Sequence, residues 1–80
     1  MRDVPTTLWT VTQDGRAVSC HARLVTYGIE IDIVHDGTVV LTRVFATDVD
    51  ALSWADEKRA ARVAQGWNPV TVTSQPVRPF

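Results

Sequence analysis

Few groups in this chain of 80 residues could do chemistry near neutral pH: a single cysteine, Cys20, and two histidines, His21 and His35. A thiol beside an imidazole can act as a nucleophile with its base. That pair also needs an accessible cleft, an orienting third group and an oxyanion site. No spacing in the sequence supplies these, and an inward cysteine ordinarily packs as a small hydrophobe. The two histidines and the cysteine lack the clustered spacing of a zinc site. There is no glycine-rich phosphate loop and no Ser-His-Asp arrangement that spacing alone supports. The expectation is therefore a protein without catalytic residues, metal ligands or cofactor. A ligand or thiol site around Cys20 and His35 is the alternative.

Eight basic and nine acidic residues leave a net charge of −1. A nucleic-acid binder that neutralises several phosphates normally carries a basic surplus or stripe, so the balance disfavours that role. A lone cysteine gives no intramolecular disulfide framework, and a reducing interior is the simplest setting. The opening MRDVPTTL has no apolar run of the signal-peptide kind. No stretch approaches the roughly 18 uninterrupted apolar residues of a membrane span. The sequence reads as a soluble, cytoplasmic protein.

The elements that must position these groups begin with hairpins. Asp14-Gly15, Tyr27-Gly28 and Asp36-Gly37 punctuate the first half. Asp-Gly between extended segments is a strong type I′ turn signal, because both central residues need positive φ. Strands are predicted at about Leu8–Gln13, Arg16–Thr26, Ile29–His35 and Thr38–Ala46, forming a meander. If each pair is a two-residue turn, Trp9 faces Cys20, Val11 faces Val18, Leu24 faces Ile31, Ala22 faces Ile33, Ile33 faces Val40 and Ile29 faces Val44. One continuous apolar face results, with Cys20 and His35 opposite one another on it. The other face carries Arg23–Asp32 and Glu30–Arg43 pairs. Tyrosine suits positive φ less well than Asn or Asp, and a longer loop with Gly28 left-handed is the alternative there.

After VFATD the hydrophobic period changes. Thr47 with Asp50 three residues on resembles a capping box, with Asp48 an alternative cap, and a helix is predicted from about Asp48 to Gln65. Val49, Leu52, Ala60 and Val63 share one side of it and are expected to cover the sheet. Gly66 fits the left-handed position after a helix, with Trp67 clamping back over Ala61 and the stem of Arg62. Asp56 and Arg59 at i,i+3 read as an ion pair at the helix–sheet edge.

The predicted architecture is α+β: a four-stranded antiparallel meander and one C-terminal helix packed on one face, ββββα in two layers. Residues 1–67 form the single domain. Residues 68–80 form a proline-rich extended tail whose VTVT has the character of an added edge strand. This order of elements resembles the single-strand-binding transcriptional coactivators and the Whirly-type folds, which place nucleic acid on a curved sheet. The resemblance is one of topology over most of the chain, with no shared motif. The basic, aromatic sheet surface such binders use is replaced by balanced charges and aliphatics.

Two surfaces are more apolar than one such fold can bury. On the helix, Trp54, Ala51 and Ala61 lie away from the predicted core stripe, with Lys58 beside Trp54. On the outer sheet face, Val39, Leu41 and Phe45 join His21, Val25 and Val34 around the charged pairs. Trp54, Ala51, Lys58, Ala61, Val39, Leu41 and Phe45 are therefore the candidate interface of a small interaction protein, expected to work as a homodimer or as an adaptor for another protein. The second candidate function is single-stranded nucleic-acid binding through Arg23, Arg43 and His21, with Phe45 as a stacking surface.

Overall fold

The computed structural model describes residues 5–70. Its elements follow the predicted order: β1 (Thr6–Gln13), β2 (Arg16–Val25), β3 (Gly28–His35), β4 (Thr38–Phe45) and α1 (Asp48–Ala64), then a short β5 (Asn68–Pro69). The strands form one antiparallel sheet in the order β4-β3-β2-β1-β5. The helix lies across one face of it. β5 pairs antiparallel with β1, Val11 opposite Pro69 and Thr12 opposite Asn68, and Val70 N–H donates to the Thr10 carbonyl at 2.8 Å. Residues 71–80 of the predicted tail lie outside the described residues.

Two of the three turns have the backbone their residues dictate. Asp14 and Gly15 sit at φ 52° and 80°, and Asp36 and Gly37 at 49° and 87°, the paired positive values of a type I′ turn. The Asp36 turn is also tied sideways to β2. Its carboxylate accepts from Ala17 N–H at 2.9 Å, and its own N–H donates to the Ala17 carbonyl at 2.8 Å.

The middle turn differs from the prediction. Thr26 and Tyr27 make it, and Gly28 belongs to β3 opposite Val25. The register therefore shifts by two: Cys20 pairs with Ile33, Ala22 with Ile31 and Leu24 with Ile29. A slip of two keeps every side chain on its face, which is why the apolar face survives the correction. The charged pairs do not survive it. Arg23 meets Glu30 rather than Asp32, and Asp32 lies opposite His21. Gly28 has φ 150°, and a Cβ built there would collide with the carbonyl of Phe45 on β4. Close approach of the two strands is what requires glycine.

β4 brings the larger correction. Val34 pairs with Val39, but Ile33 pairs with Leu41, leaving Val40 as an extra, bulged residue. One inserted residue sends everything after it to the other face. Leu41, Arg43 and Phe45 thus lie with Ile33, Ile31 and Ile29 on the helix side, while Thr42 and Val44 lie on the outer side with Asp32 and Glu30. The expected Ile33–Val40, Ile29–Val44 and Glu30–Arg43 pairings do not occur, and Leu41 and Phe45 are not on the outer face. A second bulge in β1 makes Leu8 the extra residue between Thr7, opposite His21, and Trp9, opposite Cys20.

The core comprises Trp9, Val11, Val18, Cys20, Ile31, Ile33, Ala51, Ala55 and Trp67, packed by Leu8, Ala22, Ile29, Phe45 and Trp54. The helix therefore turns the opposite side to the sheet from the one predicted: Ala51 and Ala55 are buried, whereas Val49, Leu52 and Val63 are 71%, 51% and 38% exposed. The reason is volume. Indoles from β1, from the helix itself and from beyond its end fill the layer, so only alanines leave room for the backbone to approach. Trp9 Nε1 donates to the Ala55 carbonyl at 2.9 Å across that contact.

Both helix ends are closed as the sequence implies. Thr47 Oγ1 accepts from Asp50 N–H at 3.2 Å, with Asp48 and Asp50 in the first turn. At the other end Gly66 sits at φ 99°, its N–H donates to Val63 (3.0 Å), and Trp67 N–H donates to Arg62 (3.1 Å), which is a Schellman motif. Trp67 is buried beneath the Arg62 guanidinium, 5.5 Å from its ring centroid.

Candidate interaction surface

The cysteine and histidines are not gathered into a site. Cys20 lies opposite Ile33 and His35 opposite Val18, correcting the expectation that the two face each other. His35 stands edge-on to Trp67 at 6.2 Å and 3.5 Å from the Asp36 carboxylate. Cys20 is fully buried, and burial, assisted by the negative charge of Asp32, pushes its thiol from 9.0 up to about 12. The folded protein is thus expected to react with a thiol reagent at neutral pH at least about a hundredfold more slowly than the urea-unfolded chain. Labelling followed by mass spectrometry checks this. Because the pKa is raised in the folded state, its contribution to stability is complete below about pH 9 and is lost as the pH climbs toward 12.

On the outer face, the cross-strand positions form polar rows whose members satisfy one another. His21 has Ser19 Oγ at 2.8 Å from Nε2 and Thr7 Oγ1 at 3.1 Å from Nδ1. Thr42 donates to Asp32 at 2.7 Å. Arg23 donates from Nε and Nη2 to one oxygen of Glu30, at 3.0 and 2.9 Å. That contact, together with the charge of Glu30, raises the guanidinium pKa further above its ordinary value. Of the residues named for nucleic-acid contact, Arg23 and His21 share this face, while Arg43 and Phe45 are on the other. The four do not form one surface.

The structure assembles a different group along β4, the last strand of the sheet on that side. Val39, Val40, Leu41 and Val44 are all exposed, by 54%, 56%, 44% and 39%. On the helix side, Phe45 and Trp54 stack with centroids 5.5 Å apart. Arg43 lies over both rings, at 5.4 and 5.9 Å, and Lys58 covers Trp54 at 5.2 Å. Each cation–π contact at such a partly solvated site contributes about 0.5–1 kcal/mol. Neither Arg43 nor Lys58 has an acidic partner within ion-pair distance among the described residues, whereas Arg23 is paired with Glu30 and Arg59 is set 3.7 Å from Asp56.

Five of the seven residues named from sequence as a candidate interface (Val39, Leu41, Phe45, Trp54 and Lys58) therefore meet at the β4 margin. Ala51 is buried under the helix, and Ala61 is exposed on it. Sequence reasoning put Arg43, Leu41 and Phe45 on the wrong side, because the run Val39-Val40-Leu41 is apolar throughout and hides the bulge that falls within it.

Across the helix, Leu8, Trp9, Leu52, Ala55, Asp56 and Arg59 line an open cleft of about 190 Å3. Among the described residues no cluster of three or more His, Cys, Asp or Glu side chains could hold a metal ion, and no helix is long and apolar enough to cross a membrane. Fold and surface together define a two-layer α+β protein in which, among the described residues, no strand pairs with the outer edge of β4. No protein-family model, curated protein or solved structure matches this chain.

Proposed function

We propose that this is a small interaction protein, without a catalytic role of its own, that joins another polypeptide through the free edge of β4. The observation that carries the reading is the exposure of that strand along nearly its whole length with four aliphatic side chains on it. An edge strand offers a row of unpaired backbone N–H and C=O groups. Proteins that do not use such an edge shorten it, cover it, bulge it or set charges along it, and of these devices β4 has one bulge, at Val40, and one charge. β4 spans Thr38–Phe45 with Arg43 as its one charged residue. The polar groups of the outer face are already engaged with each other, and the exposed aliphatics of the helix, Val49, Leu52 and Val63, carry no row of backbone groups for a partner to pair with. Strand addition there is a recognised mode of peptide capture.

A second copy carries the same edge and is the first partner to test. Light scattering on a sizing column is expected to show a mass that rises toward the dimer as the protein is concentrated. The double variant Val39→Lys/Val44→Lys, both exposed on the outer side, should remain monomeric with an unchanged circular dichroism spectrum. Association indifferent to the two lysines would overturn β4 as the docking edge, and so would a wild-type chain that neither associates at any concentration nor takes up an added strand peptide.

A further inference from the structure

Resting on that reading, we infer that the preferred occupant of the β4 edge is an extended acidic strand of another polypeptide, with alternate carboxylates on the helix side beside Arg43 and Lys58. The side chains of an added strand alternate between the two faces, so each face of β4 sets its own demand. The outer side presents Val39, Thr42 and Val44, which suit β-branched neighbours. The helix side presents Leu41, Arg43 and Phe45, with Trp54 and Lys58 above them.

The two cations there are held by aromatic faces and lack an acidic partner among the described residues. The nearest strand acids, Glu30 and Asp32, project from the opposite face and are engaged by Arg23 and Thr42. A strand alternating acid and β-branched residue matches both faces at once. Its carboxylates meet the cations next to apolar surface, where screening by water is reduced.

The same charges disfavour a second copy. β4 contains no acid, and antiparallel pairing about a two-fold axis brings two Arg43 and two Lys58 side chains to one seam. Self-association should therefore strengthen as salt screens the repulsion, while binding of an acidic strand should weaken. Nucleic acid is disfavoured by Glu30 and Asp32 just behind the edge and by the net charge of −1.

The test is fluorescence anisotropy with a labelled eight-residue peptide alternating valine and glutamate, and its counterpart with lysine in place of glutamate. The glutamate peptide is expected to bind and the lysine peptide to fail. Binding should weaken about tenfold in Arg43→Gln/Lys58→Gln, and by a similar factor on raising salt from about 0.05 to 0.5 M. Both substituted side chains are exposed, so the variant's fold is checked simply by circular dichroism. Equal binding of the two peptides, or full binding by the double glutamine variant, overturns the inference. Displacement of the glutamate peptide by a single-stranded oligonucleotide does so too, in favour of nucleic acid. If neither peptide binds while lysines at Val39 and Val44 still abolish self-association, the acidic partner is rejected and the β4 edge stands, with a second copy as its occupant.

Discussion

Gly28→Ala is expected to cost about 3 kcal/mol or more, which moves the urea midpoint far down. Two effects act together. At φ 150° an alanine is in a region that L-residues rarely occupy, and its methyl group would enter the Phe45 carbonyl, which is backbone and cannot rotate away. Relief requires β3 and β4 to separate at the end where β4 hands over to the helix, weakening the Ile29–Phe45 pairing and the stacking of Phe45 on Trp54. A domain of this length has only roughly 4–12 kcal/mol of total stability, so the loss is a large fraction of it. Gly15→Ala supplies the comparison. It too has positive φ, at 80°, but nothing lies within 4 Å of the added carbon, and the expected cost is about 1 kcal/mol. Urea denaturation of the two variants measures the difference, and equal losses would show that backbone conformation alone, not the approach of β4, makes glycine necessary.

Trp9→Ala should be the next most damaging change, at about 3–5 kcal/mol. Trp9 is 7% exposed and sits where β1 meets the middle of α1. The helix turns alanines to the sheet, so the indole supplies volume that Ala51 and Ala55 cannot, and removing it leaves a cavity that those short side chains cannot fill. Its Nε1–H also pins the Ala55 carbonyl at 2.9 Å. Trp9→Phe separates the contributions: it keeps most of the apolar area and loses the hydrogen bond. Since that carbonyl is also an acceptor in the helix ladder, the expected loss is only about 1–2 kcal/mol. Urea midpoints and the protection of α1 amides from hydrogen exchange test this ordering. A phenylalanine variant as unstable as the alanine one would mean that the hydrogen bond, rather than the packed area, holds the helix in place.

The parts of the fold legible in the sequence were those set by local chemistry. Asp14-Gly15 and Asp36-Gly37 form the turns their conformational preferences demand, Thr47 caps the helix, and Gly66 closes it. The parts that escaped were set by neighbours. Tyr27-Gly28 looks like the other turns, but Gly28 is needed against Phe45, a residue 17 positions later, so the turn moves back to Thr26-Tyr27. On the helix wheel Val49, Leu52 and Val63 outrank Ala51 and Ala55 in hydrophobicity. Which side faces inward was decided by the bulk of Trp9, Trp54 and Trp67, whose positions only the assembled sheet defines. For the candidate surface, sequence patterning identified Val39, Leu41, Phe45, Trp54 and Lys58 as surplus to one core, yet spread them over two faces. The bulge at Val40 brings Leu41 and Phe45 to Trp54 and Lys58, adds Arg43 and leaves Val39 on the outer side, and no periodicity argument sees a bulge when the run through it is apolar at every step.

That bulge also means that the chemical character of this margin hangs on how a single residue is paired. Were Val40 paired with Ile33 instead of bulged, the alternation along β4 would run unbroken from the Asp36-Gly37 turn: Arg43 would stand over Glu30 as an ordinary cross-strand ion pair, and Leu41 and Phe45 would leave Trp54 for the far side of the sheet. The protein would keep its strands, turns and helix but trade a cationic, aromatic rim for a neutralised one. Among relatives of this chain, whether β4 pairs with β3 in this register would therefore say more about shared binding behaviour than the identity of any one residue along it.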